Sequence, residues 1–360
     1  MLVSLTARGF RNLEALDWRP GPGRHLLLGG NGAGKTSVLE AVYLLATTKS
    51  FRTSQVEDCV RHETDGFRLT GEVEGEARVG LEVGWTAGGG KSRAVNGKAT
   101  SLAEHLEVLP VVAWEGGEAE ALTGAPAARR RWLDRGVVGL RPGAISALAG
   151  YRRALDGKRE LLARPGVLGE DPSQLDSWNE LLAAAAAEVC ALRAAYAERL
   201  GVELRLVLRE SGIGFPEVAI RYRPSPACGL EGVEAVGRKL AAAAGTERRR
   251  GAPLVGPHRD DLEVTWGGHA VRGTVSAGER KALSLLLTAA HGQVVAAAGR
   301  EPVYLLDDLD AELAPATLDR VWEAFSGVSQ LVASSNRPGV WEGLATERRW
   351  SLDRGRLEAA

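Results

Sequence analysis

Between residues 25 and 46 the sequence reads HLLLGGNGAGKTSVLEAVYLLA, and no other stretch restricts the fold so tightly. The apolar run at 25–28 has the character of a strand buried in a parallel sheet. A glycine-rich turn of Gly29, Gly30, Asn31, Gly32, Ala33 and Gly34 follows it. Lys35, Thr36 and Ser37 then open an amphipathic helix with Val38, Leu39, Val42 and Leu45 on one face. The spacing G-x-x-x-x-G-K-T suits a phosphate-binding loop. A triphosphate carries too much charge to be held unless many donors converge on it, so the chain wraps backbone N–H groups around the phosphate oxygens. Glycines allow that wrapping, because they accept positive φ and place no Cβ in the ligand's path. The helix N-terminus adds partial positive charge, Lys35 is expected to reach the β- and γ-phosphates, and the Thr36 hydroxyl to ligate Mg²⁺. The expected ligands are therefore ATP and Mg²⁺.

Composition bounds the rest. At 360 residues the chain exceeds the usual size of one domain, so two packed units, or one domain with a large insertion, are expected. Its 45 basic and 46 acidic residues leave a net charge of −1, so any nucleic-acid surface must come from local clusters. Cys59, Cys190 and Cys228 lie far apart, which suggests neither a zinc site nor a disulfide framework. The N-terminus MLVSLTARGF has no sustained apolar core, and no apolar run is long enough to span a membrane; a cytoplasmic protein is the expectation.

Two short strands are predicted ahead of the loop, around 2–7 and 13–18. Beyond it, 66–73, 77–85 and 91–95 alternate apolar and polar residues between turn signals such as Asn96-Gly97. They predict an antiparallel meander beside the nucleotide, suited to contacts with base and ribose. A buried strand is expected at 108–114, ending in Glu115-Gly116-Gly117-Glu118. The chain then turns helical to about Gly201, with helices at 144–163 and 174–200, interrupted by Pro165-Gly166 and packed as a hairpin. Strand patterns return at 202–209 and 217–222. A short helix at 232–244, the run Arg248-Arg249-Arg250 and a strand pair ending near Val271 follow. A long helix at 279–298, a strand at 302–306, a helix at 315–325, a strand at 330–334 and a hairpin around Asp353-Arg354-Gly355 complete the chain. The expected domains are 1–115 with 202–360, interrupted by an inserted helical subdomain at 116–201.

Val303-Tyr304-Leu305-Leu306-Asp307-Asp308 is a buried strand ending in two acids, the Walker B pattern. Asp307, at the strand's carboxyl end, is expected to hold a Mg²⁺ water and Asp308 to polarise the attacking water. With Thr36 this supplies the few hard oxygen ligands that Mg²⁺ needs from protein. Taken alone, the pattern also fits a strand ending in a solvated acidic turn. Upstream, Val275-Ser276-Ala277-Gly278-Glu279-Arg280 opens a long apolar helix. In its order between the loop and the Walker B strand it resembles the signature motif of ABC-type ATPases. There Ser276, Gly278 and the helix N-terminus would form a second anion site on ATP held by the opposite subunit; by itself the motif is equally a helix N-cap. Lys35, Asp307, Asp308 and Ser276 are thus the candidate catalytic residues. Gly29 through Ser37, with Ser276 and Gly278, are the candidate nucleotide contacts, and Thr36 and Asp307 the metal ligands.

Further stretches resemble one family. Phe10-Arg11-Asn12, Leu39-Glu40-Ala41, Lys49-Ser50-Phe51-Arg52, and Gly124-Ala125-Pro126 with Arg129-Arg130-Arg131-Trp132-Leu133-Asp134 are similar to motifs of the RecF family of bacterial DNA repair proteins. Gly256-Pro257-His258-Arg259-Asp260-Asp261-Leu262 is the most specific of these, and together they cover nearly the whole chain. The resemblance implies an α/β fold, an SMC-like, ABC-type P-loop ATPase head with a mixed sheet, helices and an antiparallel β layer, carrying a helical insertion without a long coiled coil. It implies a weak DNA-dependent ATPase that dimerises with ATP on duplex DNA near gaps or junctions and helps RecO and RecR to load RecA. Ala311-Glu312-Leu313-Ala314 departs from the family's S-E-L-D, and Gly116-Gly117 from its Pro-acid pair. The 311–314 departure puts coupling between the two sites in doubt; no Gln follows the 108–114 strand and no His follows Ser334, so slow hydrolysis is expected.

DNA contacts are expected from Arg129, Arg130, Arg131, Arg152, Arg153, Arg248, Arg249 and Arg250, although each cluster also fits a solvated helix face or an internal ion pair. Arg129 and Arg130 fit the nucleotide site or a domain interface equally well, and His258 either a phosphate sensor or a turn cap. A membrane-transporter ATPase subunit is disfavoured by the DD acids, the absent Gln and His, and GPHRDDL. A chromosome-structuring or double-strand-break ATPase head would need far more residues between Thr36 and Ser276. A nucleotide kinase would give the signature helix no role.

Overall fold

The computed structural model describes residues 1–75, 77–116, 119–163, 173–225 and 232–360; Gly117-Glu118, Pro165-Gly166 and Cys228 lie outside them. Two compact units emerge. The first comprises Met1–Ala119, Leu206–Gly214 and Val275–Ala360, the second Glu120–Arg205 and Phe215–Thr274.

The first unit opens with β1 (Leu2–Arg8), β2 (Ala15–Trp18), β3 (Gly23–Leu28) and α1 (Lys35–Thr47). β4 (Gly66–Glu74), β5 (Arg78–Thr86), β6 (Gly90–Val95), β7 (Lys98–Ala99), α2 (Leu102–Val108) and β8 (Val111–Trp114) follow. After α3 (Ala119–Thr123) the second unit is built from α4 (Pro126–Leu140), α5 (Ala144–Ala163), α6 (Ser173–Ser211, whose residues from Leu206 on belong to the first unit), β9 (Val218–Arg223), α7 (Val233–Arg250), β10 (Asp261–Trp266) and β11 (His269–Ala270). The first unit is completed by α8 (Ala277–Ala296), β12 (Val303–Leu306), α9 (Pro315–Glu323), β13 (Gln330–Ser335), β14 (Arg348–Asp353) and β15 (Arg356–Ala359).

Two six-stranded sheets make the first unit. One is antiparallel, in the order β2-β1-β4-β5-β6-β7; the other runs β15-β14-β3-β13-β12-β8 and is parallel except for β15. α1 is buried between them. Val38, Leu39, Val42, Leu44 and Leu45 join one core with Leu27, Leu305 and Val332 of the mixed sheet and with Leu5, Leu16, Phe67, Leu69 and Val83 of the antiparallel one. A helix covered on both sides must be apolar nearly all round, which is why its single-face pattern is weak. The pairings Leu28↔Ser335, Ala333↔Leu306 and Leu306↔Trp114 gather the carboxyl ends of β3, β13, β12 and β8, the edge where such sheets bind ligands.

In the second unit α5 and α6 pack antiparallel, as expected. Leu161 and Leu162 meet Leu175, while Tyr151 and Leu155 share a core with Leu182, Val189 and, from α7, Val236 and Leu240. β11-β10-β9 form a small antiparallel sheet.

Several expectations change. Residues 202–209 are not a strand but the end of the 39-residue helix α6. The alternation Val202, Leu204, Leu206, Leu208 suggests period two, yet the buried positions are Leu200, Gly201, Leu204, Val207 and Ser211, at helical spacing. The predicted strand at 108–114 is the last residue of α2 and a shorter β8. α7 continues to Arg250, so Arg248, Arg249 and Arg250 are its final turn, closed by Gly251 at φ 63°. The insertion expected at 116–201 is narrower than the second unit, which also takes Phe215–Thr274 because β9 pairs with β10 along its length and α7 packs on α5 and α6.

Candidate nucleotide site

β3 delivers the chain to the loop, and Gly34 at φ 114° makes the bend into α1. Gly29 answers another need, since a Cβ there would stand 2.4 Å from the Leu352 carbonyl oxygen on β14. At Gly30 and Gly32 a Cβ would meet nothing within 4 Å, so this side of the loop is open to a ligand. No side chain caps the first N–H groups of α1, which leaves them for an anion. Lys35 Nζ donates to the carbonyl oxygens of Gly29 at 2.8 Å and Gly30 at 3.1 Å, bending its cation over the turn. Ser37 is buried, and its hydroxyl donates to Asn12 Oδ1 at 2.7 Å; Asn12 Nδ2 in turn donates to the Gly32 carbonyl at 2.9 Å. The Ser37 side chain therefore braces the loop from behind instead of facing a nucleotide.

The Walker B strand ends beside the loop. Thr36 Oγ1 donates to Asp307, 2.8 Å from Oδ2 and 3.1 Å from Oδ1. Ser334, near the end of β13, donates to Asp307 Oδ1 at 2.6 Å and accepts the Asp308 N–H at 2.9 Å, so one hydroxyl sets both acids. Asp308 sits at φ 44°, a conformation rare outside glycine and concentrated at working sites. Its carboxyl is held above the usual carboxylate range, first by partial burial and then by the charge of Asp307, which suits a proton acceptor. Lys281 of α8 donates to the Asp308 carbonyl at 2.8 Å, with its ammonium 4.7 Å over the Trp114 ring. A glycine cradle, an uncapped helix, a lysine and the hard oxygens of Thr36 and Asp307 fit ATP with Mg²⁺.

Lys35, Thr36, Asp307 and Asp308 are thus brought together. Ser276 is the exposed N-cap of α8 and is held in a capping box: its hydroxyl accepts the Glu279 N–H at 3.3 Å, and the Glu279 carboxylate accepts the Ser276 N–H at 2.8 Å. Glu312, at φ 64°, places its carbonyl oxygen 3.3 Å from where a Cβ on Gly278 would stand. The turn after Walker B therefore packs against the start of the signature helix.

Three of the family-like motifs converge on Glu40, whose side chain is fully buried. It takes Arg11 through both oxygens, with Nε to Oε2 at 2.9 Å and Nη2 to Oε1 at 2.6 Å, and also accepts from Ser50 at 2.5 Å and Arg52 at 3.4 Å. Burial first, and then Glu40, push the neighbouring Cys59 thiol up to about 11, so it stays protonated and unreactive.

The other two motifs meet in the second unit. Buried Asp260 accepts from the Tyr222 hydroxyl, from the Ser225 N–H at 2.8 Å and from Arg193 at 3.0 Å. Arg193 also grips Asp134 through bonds of 2.8 and 3.0 Å and donates to the Pro257 carbonyl at 2.7 Å. Arg129 grips Asp261 at 2.7 and 2.6 Å, and Arg130 donates to the Asp260 carbonyl at 2.8 Å. Arg129 and Arg130, expected at DNA, are therefore internal ties, whereas Arg131, Arg152, Arg153, Arg248, Arg249 and Arg250 are exposed.

A parallel sheet with a P-loop and Walker B acids at its carboxyl ends, a signature-type helix, and an antiparallel layer over α1 define an ABC-type P-loop ATPase head. The chain belongs to the RecF family of DNA replication and repair proteins. Residues 1–347 match the RecF/RecN/SMC N terminal domain. The chain is 33% identical over 327 residues to DNA replication and repair protein RecF of Anaeromyxobacter dehalogenans, covering 88% of this chain and 86% of that one. To its counterpart from Moorella thermoacetica it is 31% identical over 365 residues, covering 99% and 95%. The solved structure of the recombination mediator protein RecF-ATP in the RecFOR pathway has the same fold, with TM-score 0.88 at 24% identity, covering 100% of this chain and 97% of that one. Membership in this family removes the transporter reading. Among the described residues no helix is long and apolar enough to cross a membrane.

Proposed function

We propose that this chain is an ATP-driven clamp of recombinational gap repair. The observation that carries the reading is the direct bond from Thr36 of the P-loop to Asp307 of Walker B within a RecF-family head. Residues 29–36 hold ATP, with Lys35 on the β- and γ-phosphates, and the meander supports base and ribose. Mg²⁺, when bound by Thr36 and through water by Asp307, neutralises phosphate charge. Asp308 accepts the proton of the attacking water. Ser276 and Gly278 of one subunit close on the γ-phosphate held by the other, so ATP makes the homodimer. Turnover is slow, because Ser276 must first leave Glu279 and because the turn Ala311-Glu312-Leu313-Ala314 lacks a hydroxyl and a second carboxylate. The dimer takes duplex DNA near gaps or junctions through Arg131, Arg152, Arg153 and Arg248 to Arg250, is weakly stimulated by it, and assists RecO and RecR in loading RecA in the cytoplasm.

Sedimentation of the full chain alone, with ADP, and with ATP plus Mg²⁺ tests the reading. The wild type is expected to dimerise only with ATP, and Lys35→Arg to stay monomeric. Ser276→Arg should bind ATP yet also stay monomeric. Normal ATP-dependent dimerisation of Ser276→Arg would refute the shared site.

A further inference from the structure

β13 ends at Ser335, which is in register with Leu28, the last residue of β3. The next two residues therefore emerge at the mouth of the phosphate loop. Asn336 Nδ2 donates to Asn31 Oδ1 of the loop at 3.0 Å. Arg337 turns to Asp310, two residues past the Walker B acids: Nε donates to Oδ2 at 2.8 Å, and Nη2 donates to the Asp310 backbone carbonyl. The acid is buried, with a side chain 2% exposed, while the arginine side chain is 45% exposed.

A guanidinium presents five N–H donors in a planar fork with two usable edges. Asp310 occupies the edge of Nε and Nη2. The edge of Nη1 and Nη2 is the one that grips two oxygens of a phosphate. Arg337 also belongs electrostatically to the site. Lys281, which bonds the Asp308 carbonyl, has its pKa lowered by burial first and, among neighbouring charges, by Arg337. Downstream, the turn anchored by Asp310 carries Glu312 to the start of the signature helix at Gly278. One short path thus joins the phosphate loop to the face that the opposite subunit must meet.

We propose that Arg337 is a positioning residue for the terminal phosphate: its outer edge takes the γ-phosphate of ATP while Asp310 keeps the inner edge, so that a triphosphate, and not a diphosphate, fixes the turn 309–314 against the signature helix. The inference rests on the ATP reading above, yet it fails separately. Calorimetric titration of the full chain with ADP and with a non-hydrolysable ATP analogue, both with Mg²⁺, measures it without turnover. Arg337→Ala is expected to weaken the triphosphate about tenfold or more, the usual weight of a charge-assisted hydrogen bond, and ADP less than about twofold. ATP-dependent dimerisation weakens with it. Because Arg337→Ala leaves a buried carboxylate unpaired, Arg337→Lys is measured beside it: this variant keeps a cation near Asp310 but loses the fork. It should lower the ATP-to-ADP affinity ratio while holding the wild-type melting temperature. A ratio unchanged in both variants, or an equal loss for the two nucleotides, overturns the proposal. A wild-type chain that bound neither nucleotide would instead overturn the ATP reading and this inference with it.

Discussion

At the scale of single residues, His258 resolves into a packed, uncharged ring. It stacks on Tyr151 with an interplanar angle of 22°, and its Nδ1 lies 2.7 Å from the Tyr151 hydroxyl. Burial lowers its pKa from 6.5 to about 4. The unfolded chain therefore takes up the proton first as pH falls. Stability contributed by the neutral ring is present above about pH 6.5 and is lost progressively toward pH 4, with about 2 kcal/mol gone by pH 5. Thermal melts at about pH 7.5 and pH 5 should show this fall in the wild type, and His258→Gln should flatten it. An equally steep fall in the variant would assign the effect to another group. Lys35, Thr36 and Asp307 were legible without coordinates, because a triphosphate with its cation demands those residue types at that spacing. Ser334 was not, because the need for a hydroxyl shared by Asp307 and Asp308 arises only once β12 and β13 lie side by side.

At the scale of elements, three helices of the second unit are tied by one buried ion pair. Lys158 of α5 meets Glu247 of α7 at 2.6 Å, both side chains fully buried, and donates to Asn179 of α6 at 2.7 Å. Removing one partner strands a buried charge, so Lys158→Met is expected to cost about 3–5 kcal/mol. Lys158→Met combined with Glu247→Leu should cost less than half as much, the remainder coming from the Leu254 N–H that Glu247 accepts at 2.6 Å. Denaturant unfolding of the single and double variants checks the difference, and a double variant as unstable as the single one would rule it out. α5 was readable because its apolar residues recur at helical spacing, whereas the end of α6 was not. There Val202, Leu206 and Leu208 fall between the buried positions, and only packing shows which leucines face inward.

At the scale of the whole molecule, the nucleotide-site residues lie in the first unit, and the six exposed arginines expected at DNA all lie in the second. Neutral bulk charge hid that segregation, and the arginine runs could not reveal which members are spoken for by Asp260 and Asp261. Binding to a gapped duplex with ATP, followed across salt concentrations, should give a log–log slope that falls by about 3 when Arg248, Arg249 and Arg250 are all changed to Ala. An unchanged slope would remove that turn of α7 from the DNA surface. Glu40 ties separate parts of the first unit together. Arg11 reaches it from one stretch of chain and Ser50 with Arg52 from another, so a change at any one of them leaves a buried carboxylate under-paired. Single changes at Arg11 or Arg52 are therefore expected to destabilise the first unit, because the buried Glu40 carboxylate keeps its charge and loses a partner. What reads along the chain as three separate fingerprints is thus one buried knot, in which each stretch depends on the other two for its pairing.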